Sequence, residues 1–198
     1  MPRVRFLAYC IGGKLNFKVK ILEEHGYESA MLGLSLSYNK PVAHMKGVAD
    51  KIYANGSHGK FLETVQVVLD ITAPRYWYQE FSTYRIGVSC NSESTMHTIM
   101  KKELTQDDFV TPVFTETIEN LNYQIAWYNK ATTKESKDAW FQQIKSNLPE
   151  GFLQRRIVAT NYKTLRHIIS QRKNHRLIEW QEFCRYLQEN CRYKEWLV

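Results

Sequence analysis

The sequence predicts an α+β fold. Three observations lead there. Strand-like runs and helix-period runs alternate without repeats or low-complexity tracts, and no Gly-, Ser- or Pro-rich linker divides the chain. With 198 residues, 43% hydrophobic and 24% charged, the chain is long enough for one packed domain spanning 1–198, in the range of ordinary folded proteins.

The elements follow in order. VRFLAYCI (4–11) is β-branched and aromatic and runs into Gly12-Gly13, so a first strand is expected there. Residues 20–32 and 41–54 read as helical or loop-helical, the second opening at Pro41, where proline suits a first turn. FLETVQVVLDITAP (61–74) reads as a long strand with Val65, Val67 and Leu69 on one face and its end at Pro74. RYWYQEFSTYRIG (75–87) fits an aromatic helix with Trp77, Phe81 and Tyr84 at i, i+4 and i+7. Residues 107–145 supply one or two helices, RRIVAT a short strand, and a helix pair runs from about Asn161 to Glu189.

Composition narrows the function. The longest apolar runs fall short of a membrane span, and the segment MPRVRFLAYCIGG is too soon followed by Lys14 and Lys18 for a signal peptide, so a cytoplasmic protein is expected. Cys10, Cys90, Cys184 and Cys191 form no CxxC pair and have no histidine at ligand spacing, which points to reduced thiols and no metal site. A net charge of +7 favours an anionic partner. The densest basic stretch is QRRIVATNYKTLRHIISQRKNHR (154–176). No helix-turn-helix, zinc or RNA-recognition pattern accompanies it, so nucleic acid is disfavoured.

One position breaks the helical pattern. At roughly 100° per residue, Asn161, Leu165, Ile168 and Arg172 share a face, which sets a guanidinium among aliphatic core candidates. Either Arg172 reaches outward or pairs with a nearby carboxylate, or its donors await an anionic or carbonyl-bearing ligand. The polar stretch SCNSESTMHT (89–98), directly after the aromatic segment, is a second candidate for ligand contact.

HGKFLE (58–63), PRYWYQEFSTYRIG, NSES, KSNLPE (145–150), VATNYKTLRHIISQR (158–172) and EWQEF together, with Ser37-Tyr38 in LSLSYNK, resemble the flavin-dependent thymidylate synthases in the same order. The resemblance covers roughly residues 33–183. It implies a mainly antiparallel sheet with a long helical layer and a homotetramer. It also implies reductive methylation of dUMP to dTMP, or one-carbon transfer to a related uracil nucleotide, using FAD, NADPH and methylenetetrahydrofolate. Residue by residue, it assigns Arg172 and Ser94 as catalytic. Glu93, Ser94, Lys145 and Arg172 become substrate-binding, and Ser37, Arg85, Asn161, Lys163 and His167 cofactor-binding.

The sequence also departs from the family pattern. The Arg-His-Arg signature is replaced by Thr83-Tyr84-Arg85, the closing arginine by Met96, and Lys145 and Lys163 stand where the family has arginines. Arg75, Arg176 and His97 are cations in new places. Two functional classes therefore stand: a divergent enzyme, and a non-catalytic nucleotide-binding protein on the same fold that has lost flavin chemistry.

Overall fold

The computed structural model describes residues 15–54 and 59–197; the strand expected at 4–11 lies outside them. A four-stranded antiparallel sheet has the order β1-β2-β4-β3, with β1 Lys18–His25, β2 Gln66–Pro74, β3 Ser89–Ser92 and β4 Leu153–Asn161. The α-helices are α1 Tyr27–Tyr38, α2 Met45–Ala54, α3 Phe61–Thr64, α4 Arg75–Phe81, α5 Thr95–Thr98, α6 Thr115–Lys130, α7 Lys134–Asn147, α8 Tyr162–Arg172 and α9 Ile178–Asn190.

β2 is the most legible strand. Val65, just before it, and Val67, Leu69, Ile71 and Ala73 along it are fully buried, while the alternate residues are half-buried. That period of two, in β-branched residues, is what a central strand requires. It starts later than its sequence pattern predicts, because Phe61–Thr64 closes into one helical turn that buries Phe61 and Leu62.

Residues 20–25 correct the helical expectation. KVKILEEH pairs as an edge strand in which Val19 and Ile21 are half-buried between exposed Lys18, Lys20 and Leu22. Charged residues on an exposed edge discourage further strand pairing. Gly26, at φ 88, makes the turn from β1 into α1. α4 ends at Phe81, so Tyr84 lies beyond the helix; the Thr83 and Tyr84 amides donate to the Glu80 and Phe81 carbonyls (3.1 Å each). The stretch 89–98 divides into edge strand β3 and the short helix α5.

The chain forms two compact units. Among the described residues, one comprises 15–18, 72–79 and 92–155. Within it, α6 and α7 close over a core that includes Phe109, Leu121, Ile125, Ile144 and Phe152. The other comprises 19–54, 59–71, 80–91 and 156–197. Its core includes Leu165, Ile168, Trp180, Phe183 and Trp196, each fully buried. Among the described residues, no helix is long and apolar enough to cross a membrane.

Candidate functional site

In the second unit, β4 runs directly into α8 at Asn161. The Asn161 side chain caps the helix by accepting from the Thr164 amide at 3.0 Å. Thr164 Oγ1 donates to the Ile86 carbonyl at 3.2 Å, which fastens the loop 85–87 to the first turn of α8. Between that loop and α8 lies a cavity of about 860 Å3, lined by Tyr84, Arg85, Asn161, Lys163, Thr164 and His167 among others.

Four of the five sequence-assigned cofactor residues therefore converge: Arg85, Asn161, Lys163 and His167. Ser37 lines a separate cavity of about 740 Å3 that shares Lys163, and its hydroxyl donates to the Gly33 carbonyl at 3.2 Å. Lys163 is paired with Glu63, whose carboxyl is held below its ordinary range by that hydrogen bond and charge. The His167 ring meets the Tyr84 ring edge-on, with centroids 6.1 Å apart.

Arg172 lies at the end of α8 and its side chain is 19% exposed. Nη1 donates to Glu80 Oε2 at 2.6 Å and Nε donates to Tyr84 Oη at 2.8 Å. Its guanidinium stacks 4.8 Å from the centre of the Trp180 ring. Of the alternatives open at this position, the structure shows pairing with a nearby carboxylate.

The other substrate residues, Glu93, Ser94 and Lys145, belong to the first unit, whereas Arg172 belongs to the second. The Glu93 amide donates to the Arg155 carbonyl at 2.9 Å, extending the ladder between β3 and β4, and its residue lines a cavity of about 680 Å3. Ser94 is exposed at the start of α5. Beside it, Lys145 Nζ donates to Thr95 Oγ1 at 2.7 Å. Burial, and then the charge of Arg75, push the Lys145 amine below its ordinary range. Arg75 itself is held by the Leu148 carbonyl (2.8 Å) and Glu150 (3.1 Å). His97 and Arg176 are exposed, and Met96 is 59% exposed.

Sequence reasoning missed Glu80, Gly87 and Thr164. The signal for Glu80 is a lone carboxylate inside the aromatic run WYQEF. Among the described residues, no cluster of three or more His, Cys, Asp or Glu side chains could hold a metal ion. Cys90, Cys184 and Cys191 are free thiols.

The family described as Thy1, thymidylate synthase complementing protein, matches residues 23–194. No curated protein matches. Two crystal structures of the flavin-dependent thymidylate synthase ThyX from Helicobacter pylori with FAD and dUMP share this fold. One is 16% identical with a TM-score of 0.69, covering 87% of this chain and 92% of its own. The other is 16% identical with a TM-score of 0.71, covering 91% and 96%.

Proposed function

The chain belongs to the thymidylate synthase complementing protein family, and on that premise we propose that it is a flavin-dependent thymidylate synthase. It would convert dUMP to dTMP with FAD, NADPH and methylenetetrahydrofolate, acting as a cytoplasmic homotetramer. The observation that carries this reading is the meeting of Arg85, Asn161, Lys163 and His167 on one cavity.

The donor set fits the cofactor. Arg85 and Lys163 supply cationic donors for phosphate groups, and His167 and Tyr84 supply rings beside them. When bound, FAD supplies hydride-transfer chemistry. The chain's own part is to hold and orient. Arg85 and Lys163 would neutralise the cofactor's phosphates. Asn161 and Thr164 keep the loop and the first turn of α8 in register.

For the nucleotide, Lys145 beside Ser94-Thr95 supplies a point charge for a phosphate. A phosphate there would draw the Lys145 amine back toward its charged form, against the burial that pushes it down. Arg172 would donate to a carbonyl of the base, where charge developing on the ring is stabilised.

A second reading is favoured by one specific observation. The guanidinium assigned to the base already holds the Glu80 carboxylate at 2.6 Å. That suits a protein that binds a nucleotide without turnover. Titration of the purified protein with FAD, with and without dUMP, separates the two. Flavin binding at micromolar concentration, and its dUMP-dependent oxidation lost in Arg172→Ala, is expected. Stabilisation by dUMP without any flavin binding would establish the non-catalytic reading instead.

A further inference from the structure

Glu80 Oε2 is the meeting point of three side chains. It accepts from Arg172 Nη1 at 2.6 Å and from Trp180 Nε1 at 2.9 Å, and His175 Nε2 lies 3.6 Å away. His175 Nε2 also lies 2.9 Å from Arg172 Nη1, and His175 Nδ1 accepts from the Leu177 amide at 3.2 Å. Tyr84 Oη accepts from Arg172 Nε at 2.8 Å and donates onward to Gln171 Oε1 at 2.9 Å.

The guanidinium is thus fixed on two of its three nitrogens. Nε is held by Tyr84 and Nη1 by Glu80, with the flat face on Trp180 at 4.8 Å. Nη2 has no hydrogen-bond partner among the described residues. A planar fork pinned at Nε and Nη1 cannot rotate, so the direction of the Nη2 donors is set before any ligand arrives. Glu80 also cancels the charge locally, so what remains is a directed pair of N–H donors. That matches a neutral carbonyl better than a phosphate.

We propose that Glu80 is a positioning residue, which orients Arg172 so that Nη2 donates to a carbonyl of the bound nucleobase. The proposal rests on the reading of Arg172 as a base contact and adds the residue that makes the contact directional. Glu80 is a suitable anchor because the buried Trp180 holds it in turn through Nε1 at 2.9 Å. A carboxylate that also accepts from a fixed indole does not swing away with its partner.

The test compares Glu80→Ala and Glu80→Gln with the unaltered protein by two readouts. The first uses no ligand: the nitrogen-15 side-chain resonance of Arg172 Nε–H and its exchange with water. The second is the affinity for dUMP against that for 2-deoxyribose 5-phosphate, which lacks the base. Glu80→Ala is expected to speed Arg172 Nε–H exchange and to weaken dUMP by about tenfold or more, with the sugar phosphate unaffected. Glu80→Gln should recover most of both, because its amide oxygen still accepts from Arg172 and Trp180.

Equal weakening of both probes, or no rescue by glutamine in a variant that remains folded, overturns the positioning role. If the unaltered protein binds the sugar phosphate as tightly as dUMP, the base-contact reading of Arg172 fails, and with it the carbonyl recognition proposed here. Failure to bind either probe instead overturns the nucleotide reading itself. In both cases the exchange measurement still judges the orientation of Arg172. Unchanged exchange in Glu80→Ala overturns it, and faster exchange reversed by glutamine supports it.

Discussion

Gly87 lies so close to Asn161 that no side chain fits between them. A Cβ at Gly87 would stand 2.6 Å from Asn161 Nδ2 and 2.6 Å from Thr164 Oγ1, and the residue's φ is +71°. Glycine is needed here on both counts, conformation and close approach. Gly87→Ala should lose roughly 1–3 kcal/mol from the backbone alone, read as a lower urea midpoint. It should also weaken FAD, because the loop on the cavity wall is displaced. An unchanged midpoint would show that the loop relaxes freely.

Asn161→Ala removes the cap of α8. A loss of about 1 kcal/mol in chemical denaturation is expected. Asn161→Asp should recover most of it, because a carboxylate oxygen also accepts from the Thr164 amide. Recovery by aspartate but not by leucine would assign the effect to the cap rather than to volume.

Arg172→Lys keeps the charge but cannot reach Glu80 and Tyr84 together. Loss of the charged hydrogen bond to Glu80 should cost about 1.5–3 kcal/mol, read by thermal or urea unfolding. A change within the scatter of repeat melts would contradict the pairing as a stabilising contact.

Lys145→Met is expected to move stability and binding in opposite directions. Burial and Arg75 disfavour the charged amine in the folded protein, so a neutral side chain of similar length should leave the melting midpoint unchanged or raise it. The same substitution removes a charged donor for the nucleotide phosphate, and dUMP affinity should fall by about tenfold. A fall in both would return Lys145 to a structural role.

Alkaline stability has a defined window. Burial first of all pushes the thiols of Cys184 and Cys191 from the ordinary 9.0 up to about 12. Because the folded pKa is raised, the contribution is complete below pH 9 and is lost as pH rises toward 12. Each thiol adds a slope of about 1.4 kcal/mol per pH unit within that range. Burial and its bond to Glu24 raise the Tyr162 phenol as well, adding to the decline above its ordinary pKa of 10.0. Replacing both cysteines by alanine should flatten the curve between pH 9 and 10, measured as unfolding free energy against pH. A curve of unchanged slope would refute the assignment.

The elements legible in the sequence are those whose burial repeats locally. The alternation through Val65, Val67 and Leu69 locates β2, and the spacing of Leu165, Ile168 and Arg172 marks one face of α8. Residues 20–25 misled because glutamates favour helices only until a neighbouring strand offers a ladder. Pairing with β2 overrides that weak preference. Tyr84 falls outside its expected helix because α4 stops at Phe81, where Thr83 Oγ1 donates to the Glu80 carbonyl at 2.7 Å.

By itself the sequence determined the α+β class, the family resemblance, and the residues Arg85, Asn161, Lys163 and His167 that line one cavity. These depend on periodicity and on ordered local motifs, which the linear chain carries. Only the tertiary structure decided that Arg172 belongs to Glu80, a partner 92 positions earlier. Periodicity marks an arginine on an apolar face as needing an acceptor, but it cannot name one. The acceptor is supplied by α4, a different element brought against α8 and α9 by the burial of Phe81, Trp180 and Phe183.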